Sequence, residues 1–354
     1  MPGRLNLIRE DEILSFAALL QQRGTAAFPR GVAPSPGETY PQRYLQHLIK
    51  SSVYYSHVYA HILNQLLRER GGDRSALQLL DYGAGNGLLG LMAVYTGFGQ
   101  VYLNDQDAGF LNAARQLALS LELEPAGFIE GGIEKVQTFF THRQPPDLIA
   151  GSDVIEHIYD LTGFMNTLQY INPRLICAFS TACNPCNPLQ RMRFRKVQLR
   201  DEYRGGTPDI HPLFAGQPIA AFLLTRRRII ESYAGNQLTE IQLNELAKTS
   251  RGLIKQDIEH AVDIYLTTGQ YPAPEHPTNT CDPITGSWSE RMLSLQTYHQ
   301  LFCSGGFSLS VRDGFYNQFD KGKASVLRRL ANQLIPISGH VLAPYIVLVG
   351  KPLV

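Results

Sequence analysis

Short apolar runs alternate with helical segments between residues 77 and 180, and this alternation constrains the fold more than any other feature. Five runs have the length and nearly continuous apolar character of strands that are buried on both faces: 77–82, 100–104, 126–130, 147–152 and 174–180. Segments with helical spacing separate them at 88–96, 108–121, 134–141 and 161–170. The pattern predicts an α/β fold with a parallel sheet between layers of helices.

The rest of the chain is predicted to surround this core. We expect helices at 12–22 and within 42–70, at 220–233 and 238–265, and at 289–303, with strands at 307–311 and 341–349. The expected domains are an N-terminal helical arm or lid (1–75), the core (76–184), a mainly helical substrate-binding insertion after the fifth strand (185–287), and a C-terminal completion of the sheet (288–354).

Composition excludes several classes of function. The 32 Lys and Arg residues nearly balance the 31 Asp and Glu residues, so the chain lacks the basic field that holds nucleic acid. Its longest apolar runs are far shorter than the roughly 20 residues that span a bilayer, and its first residues lack the apolar stretch of a secretory signal. Five scattered cysteines indicate reduced thiols. We therefore expect a cytoplasmic protein without membrane or nucleic-acid partners.

A glycine-rich turn follows the first predicted strand, in the segment from Asp81 to Gly87. Glycines at 83, 85 and 87 allow unusual dihedral angles and a close approach of ligand to backbone. A helix that starts directly after such a turn directs backbone N–H groups toward the ligand. The next predicted strand ends at Asp105, whose carboxylate can accept hydrogen bonds from both hydroxyls of a ribose. Together these features indicate a cofactor that contains adenosine.

The spacing of the glycines distinguishes two groups of cofactors. Dinucleotide sites favour GxGxxG, whereas this turn is GxGxG after an acid. In this respect the chain resembles class I S-adenosylmethionine-dependent methyltransferases, with Asp81 to Gly87 similar to their first motif and Asp105-Gln106-Asp107 similar to their second. Residues 152–158 resemble the segment after the fourth strand in small-molecule members, including the ubiquinone-biosynthesis O-methyltransferases. The resemblance implies a Rossmann-like seven-stranded sheet with helices on both faces.

The resemblance also implies which residues bind the cofactor. The expected set is Asp81, Gly83, Ala84, Gly85, Asp105, Gln106, Gly132, Ile133, Asp153 and Val154. Within it the glycine turn faces the methionine part, Asp105 the ribose and Gln106 the adenine, while Asp153 and Val154 lie beneath the methyl donor. The chain departs from the family after the third strand, where Gly131-Gly132-Ile133 stands in place of a common Gly-Asp-Ala. Adenine contact there is expected from backbone or from Glu134.

Two histidines are candidates for the catalytic base, His157 and His211, because imidazole titrates near neutral pH. A structural role for His157 is the alternative. Asp153, Glu156 and His157 would share one face if their segment were helical, but no metal site is predicted.

The predicted activity is transfer of a methyl group from S-adenosylmethionine to oxygen, nitrogen or carbon of a small molecule, which gives S-adenosylhomocysteine. Two alternatives stay open: a methyltransferase that acts on protein or RNA, and a non-catalytic scaffold that binds the cofactor. The absence of an Asn/Asp-Pro-Pro-Tyr motif at 152–155 and the near-neutral charge disfavour the first. The only protein assembly that we expect is a homodimer.

Overall fold

The structure is a computed structural model that describes residues 6–24, 40–205, 220–320 and 322–353. The chain divides into two compact units. Unit 1 comprises Met1–Ile155, Leu161–Asn184 and Ser294–Val354, and unit 2 comprises Glu156–Asp160 and Pro185–Leu293.

Unit 1 contains a seven-stranded sheet. Its strands are β1 (Gln78–Tyr82), β2 (Gln100–Asp105), β3 (Gly127–Glu130), β4 (Leu148–Ser152), β5 (Ile176–Thr181), β6 (Phe307–Asp313) and β7 (Ile346–Pro352). The strand order is β3-β2-β1-β4-β5-β7-β6. β1 to β5 are parallel, and β7 runs antiparallel to both β5 and β6. The seven-stranded α/β architecture expected from the sequence is confirmed. The order reverses at β1 and β4, whose carboxyl ends form the edge where open α/β sheets bind ligands.

Helices surround this sheet. Those of unit 1 are α1 (Glu10–Leu19), α2 (Tyr40–Lys50), α3 (Ser52–Arg70), α4 (Leu88–Tyr95), α5 (Ala108–Leu121), α6 (Ile133–Phe140), α7 (Leu161–Ile171), α12 (Leu295–Ser304) and α13 (Lys323–Ser338). Apolar side chains of α1 to α5 form one continuous core with the sheet. α3 packs against β4, β5 and β7, and α7 packs against both α6 and α12. The N-terminal helices are therefore part of the main core.

The structure corrects the C-terminal predictions. The helix expected at 289–303 begins only at Leu295, because Ser294 caps it by accepting a hydrogen bond from the backbone N–H of Thr297 at 3.0 Å. The last strand is Ile346–Pro352 rather than 341–349. α13 was not predicted at all.

Unit 2 is helical. It contains α8 (Pro188–Tyr203), α9 (Phe222–Ala234), α10 (Glu240–Thr249) and α11 (Lys255–Thr268). The last three share an apolar core. The single helix expected at 238–265 is wrong, because the chain breaks it at 250–254. There Gly252 has a φ of +83°, and a β-carbon on it would lie 2.9 Å from the Trp288 ring.

All five cysteines are free thiols. Among the helices that the structure describes, none combines the length and the apolar character needed to cross a bilayer.

Candidate active site

The glycine turn between β1 and α4 has the backbone geometry that only glycine adopts freely. φ is +66° at Gly83, +53° at Gly85 and +79° at Gly87. The backbone N–H of Gly87 donates to the carbonyl of Ala84 at 2.8 Å, which closes the turn. A β-carbon on Gly83 would lie 2.3 Å from Cγ2 of Val154, so the chain after β4 packs directly on the turn. The sequence-predicted residues Gly83, Ala84, Gly85 and Val154 thus lie together.

Gly85 and Asp105 are joined by a hydrogen bond. The backbone N–H of Gly85 donates to Oδ2 of Asp105 at 2.8 Å, and the N–H of Asp107 donates to Oδ1 at 2.9 Å. Burial raises the pKa of the Asp105 carboxyl, and the N–H groups of Asp107 and Gly85 oppose this shift. Among the described residues, a β-carbon on Gly85 would contact only Phe110, at 3.9 Å. Because each carboxylate oxygen has a second lone pair, Asp105 can accept two hydroxyl donors from a ligand.

Asp81 lies behind the turn. Its side chain is buried, and Oδ2 accepts a hydrogen bond from the backbone N–H of Gly90 at 2.8 Å. Burial, assisted by the negative charge of Asp105, raises the pKa of Asp81 to about 7, and the bond from Gly90 opposes this shift. In the structure Asp81 therefore holds the first turn of α4, and its direct contact with a cofactor stays a prediction.

The remaining residues predicted for the adenine lie at the ends of β2 and β3. The side-chain amide of Asn104 donates to the carbonyl of Gly131 at 2.8 Å and ties the two strand ends together. Gly132 is the N-cap of α6 and Ile133 is its first residue. Gln106 directly follows Asp105 and is exposed. The start of a helix offers backbone N–H donors, so this edge can accept the polar atoms of a base.

Asp153 has a left-handed backbone, with φ of +51°. Its N–H donates to the carbonyl of Ser180 at 3.0 Å, and Oδ1 accepts from the N–H of Ala182 at 3.2 Å. Such a conformation in a non-glycine residue persists only where its surroundings hold it, and it is enriched at functional sites. Asp153 is exposed and directly precedes Val154, at the carboxyl end of β4.

Tyrosines from α3 lie close to the same edge, and sequence reasoning missed them. Burial raises the pKa values of Tyr54 and Tyr59, and the negative charge of Asp153 raises both further. Asp81 also raises the pKa of Tyr59. Both phenols therefore stay neutral at physiological pH. The helical spacing of 42–70 predicted helices, but only the fold brings these side chains near the strand ends.

α2 lies against the start of α5. Rings of Tyr40 and Tyr44 contact the ring of Phe110 edge-on, with centroids 5.6 and 6.1 Å apart. The amide of Asn86, in the glycine turn, donates to the carbonyl of Pro41 at 3.1 Å. α2 is thus anchored to the turn itself, a contact that no sequence motif signalled.

Of the two histidines predicted as catalytic base, the structure describes His157 but not His211. Nδ1 of His157 lies 2.7 Å from the carbonyl oxygen of Trp288, within unit 2. Because a carbonyl only accepts, Nδ1 carries the proton and Nε2 is the basic nitrogen. His211 lies outside the described residues and stays a prediction. The helical face that would join Asp153, Glu156 and His157 is absent, because only a 3-10 turn spans Ile155–His157 and Asp153 is left-handed.

The loop of unit 2 at 279–283 carries several polar side chains. Oδ1 of Asn279 accepts hydrogen bonds from Gln198 at 2.9 Å and from the N–H of Met292 at 3.2 Å. The hydroxyl of Thr280 donates to Glu202 at 2.8 Å. These side chains stabilise the interior of unit 2.

The arginine-rich segment of α8 is mainly a solvated face, with Arg191, Arg193, Arg195 and Lys196 exposed. Arg226 of α9 differs, because its side chain is fully buried and forms an ion pair with Glu202 at 2.5 Å.

Comparison with known families agrees with the cofactor site that the glycine turn and Asp105 indicate. Residues 73–211 match the family model described as a methyltransferase domain. The matched residues include the glycine turn, Asp105 and the segment after β4. Residues 73–211 of the chain are therefore similar to a methyltransferase domain.

Solved structures resemble the chain at low identity. A SAM-dependent methyltransferase from Archaeoglobus fulgidus is 10% identical, with a TM-score of 0.42 and coverage of 87% of this chain and 99% of that one. Magnesium protoporphyrin IX methyltransferase from Synechocystis PCC 6803, solved with bound SAH, is 11% identical, with a TM-score of 0.41 and coverage of 96% and 99%. The CurJ carbon methyltransferase is 12% identical, with a TM-score of 0.42 and coverage of 98% and 68%. No curated protein matches the sequence.

Proposed function

We propose that the chain methylates a small molecule at oxygen, nitrogen or carbon, with S-adenosylhomocysteine as the other product. The observation that carries the proposal is the Asp105 carboxylate at the end of β2, held by the N–H groups of Gly85 and Asp107 beside the left-handed glycine turn. Two backbone donors favour the charged form of this carboxylate, against the burial that raises its pKa, and they leave its other lone pairs available. It is therefore suited to accept both hydroxyls of a ribose.

The other cofactor contacts follow the same edge of unit 1. Gly83, Ala84 and Gly85 would face the methionine part, with Asp81 supporting them from behind. Gln106 and the start of α6 at Gly132 and Ile133 would contact the adenine. Asp153 and Val154 would lie below the reacting group. The shared location of these residues around the carboxyl ends of β1 to β4 supports the assignment.

Bound S-adenosylmethionine supplies an electrophilic methyl group on a good leaving group, so little covalent help is required from the protein. The chain's contribution is to align the acceptor and to exclude water. The hydroxyl of Tyr54 donates to the carbonyl of Phe315 at 3.3 Å, so the contribution of Tyr54 and Tyr59 would be their apolar rings, which help to exclude water.

We propose His157 as the general base. Donation from Nδ1 to the carbonyl of Trp288 fixes the ring and leaves Nε2 to accept a proton. His157→Gln should lower kcat by roughly 100-fold while the affinity for S-adenosylhomocysteine stays unchanged. His260→Gln, at an exposed histidine of the same unit, is the matched control. A wild-type kcat combined with a lower melting temperature would assign His157 a structural role instead.

His211 is the second candidate, and His211→Gln is tested in the same assay. The same expected loss, roughly 100-fold in kcat, would assign the base to His211 if His157→Gln keeps its rate. Wild-type rates in both variants would remove the hypothesis of a histidine base.

The substrate class is tested with a labelled methyl donor. The purified chain is incubated with labelled S-adenosylmethionine and separate small-molecule, protein and RNA fractions of a cell extract. Label in the small-molecule fraction supports the proposal, whereas label only in protein or RNA contradicts it. Cofactor binding without product in any fraction would indicate a scaffold. The near-neutral charge supports the small-molecule expectation.

The cysteines bear on the cellular location of the enzyme. Five free thiols, including the exposed Cys303, suit a reducing compartment, and we therefore propose a cytoplasmic enzyme. We expect its protein assembly to be a homodimer.

A further inference from the structure

α13, between β6 and β7, packs on unit 1 with a side that carries polar residues and the buried Ile335. Oδ1 of Asn332 accepts from the backbone N–H of Tyr316 at 2.7 Å, and its amide donates to the carbonyl of the same residue at 3.0 Å. Arg328 donates to the carbonyl of Asn317 at 3.2 Å, and the hydroxyl of Ser325 donates to the carbonyl of Gln318 at 2.7 Å. Hydrogen bonds to the chain after β6 therefore hold this helix.

The opposite side of α13 is apolar and exposed. Its exposed aliphatic residues are Val326 (58%), Leu327 (69%), Leu330 (52%), Leu334 (51%) and Ile337 (86%). The last four follow alternating steps of three and four residues, which places them in one stripe and is the spacing of a helix–helix seam. The stripe exposes on the order of 500 Å² of apolar surface, within the range at which exposed patches are commonly functional. An amphipathic helix normally turns this side inward.

The charges near this stripe are mostly positive and unevenly placed: Asp320 pairs with Arg328 at 3.1 Å, and Lys323 and Arg329 are the other cations of α13. The sequence from 321 to 354 contains no Asp or Glu, and the cations of α13 (Lys323, Arg328 and Arg329) all lie in its first half. The C-terminal end of a helix carries a partial negative charge that attracts cations. In an antiparallel pair of such helices, each cationic half lies beside the negative end of the other. In a parallel pair, the cations of the two helices would face each other.

We propose that the outer face of α13 is the interface for a second copy of this chain, with the two α13 helices antiparallel about a twofold axis. Centring the pair on the stripe sets Leu327 against Ile337 of the partner subunit, and Leu330 against Leu334 of the partner subunit. Such an interface is closed, since each copy contributes the same patch. It buries on the order of 1,000 Å² in total, which is the lower bound for specific association.

The first test changes the stripe and measures mass by analytical ultracentrifugation. The wild-type chain should be a dimer at micromolar concentration, and Leu334→Glu should weaken dimerisation by roughly 100-fold or more, because it would leave a charge in the apolar interface. Leu119→Glu, at an isolated exposed leucine of α5 (78%), is the matched control and should stay dimeric. Unchanged melting temperature and affinity for S-adenosylhomocysteine in Leu334→Glu would show that only assembly is affected. A dimer of normal affinity in Leu334→Glu would overturn the proposal.

The second test measures the orientation by disulfide cross-linking in a Cys303→Ser background, which removes the exposed native thiol. A mixture of Leu327→Cys and Ile337→Cys proteins should give cross-linked heterodimers on mild oxidation, while each variant alone should not. Cross-linking of Leu327→Cys with itself would indicate a parallel pair and overturn the proposal. A monomeric wild-type chain that binds vesicles of anionic phospholipid through this helix would overturn it as well, in favour of a membrane surface.

Discussion

Two carboxylates show how differently the two units use charge. Asp105 of unit 1 is half-buried and accepts hydrogen bonds from two backbone N–H groups. Glu202 of unit 2 is fully buried and bonds to Arg226, Arg251 and Thr280. The backbone N–H groups that bond to Asp105 carry no net charge, whereas the guanidinium groups beside Glu202 neutralise its charge. A carboxylate of the first kind is available to a ligand, and one of the second kind belongs to the fold.

The largest effect is expected where the charge in unit 2 is removed. Glu202→Gln leaves Arg226 buried without its counter-ion and should lower the free energy of unfolding by about 3 to 5 kcal/mol. Glu240→Gln is the control, because its ion pair with Arg227 is largely exposed and contributes less than about 1 kcal/mol. Urea titrations of both variants measure the difference. Equal losses of unfolding free energy in the two variants would show that the buried ion pair of Glu202 stabilises the fold no more than the pair of Glu240.

A pH-dependent effect is expected at Asp81. Its pKa is about 7 in the folded chain against 3.8 in the unfolded chain, so the folded state holds the proton more tightly. As pH rises from 4 to 7 the unfolded state loses this proton first, and stability should fall by at most about 4 kcal/mol. Asp81→Asn should lack this slope, so its stability relative to wild type should rise over that range. A pH-independent difference between the two proteins would contradict the buried, proton-retaining carboxyl.

Two glycine variants distinguish the cost of close packing from the cost of backbone strain, and smaller losses of stability are expected for them. Gly97→Ala, at φ of +85° and with no atom of the described residues within 4 Å of the added β-carbon, should lose about 1 kcal/mol from strain alone. Gly83→Ala adds the contact with Val154 and should lose about 2 kcal/mol more. Thermal unfolding measures both, and Val154→Ala should recover part of the loss in the double variant. If the two glycine variants lose the same stability, the turn does not pack on Val154.

Much of unit 1 could be predicted because its signals are local. The helix expected at 108–121 has those bounds in the structure, since the side chain of Asp107 accepts from the N–H groups of Gly109 and Phe110 and fixes its start. The turn and Asp105 were found from glycine spacing and from the strand that ends in an acid. These features depend on neighbours in sequence.

The features that were missed depend on contacts between distant residues. The break between α10 and α11 requires Trp288 to pack on Gly252. The approach of Tyr54 and Tyr59 to Asp153 requires α3 to lie against β4 and β5. α13 has a helical apolar pattern, but most of its apolar residues are exposed, so the pattern alone does not show which surface the helix packs against.

The most direct test of the central claim is calorimetric titration of the chain with S-adenosylhomocysteine. Wild type should bind, Asp105→Asn should bind roughly 10- to 100-fold more weakly because a charged acceptor is lost, and Asp107→Asn should bind as wild type because asparagine caps a helix equally well. Absence of binding by wild type at millimolar ligand, or equal affinities in wild type and Asp105→Asn, would contradict the assignment of the cofactor site to Asp105 and the glycine turn.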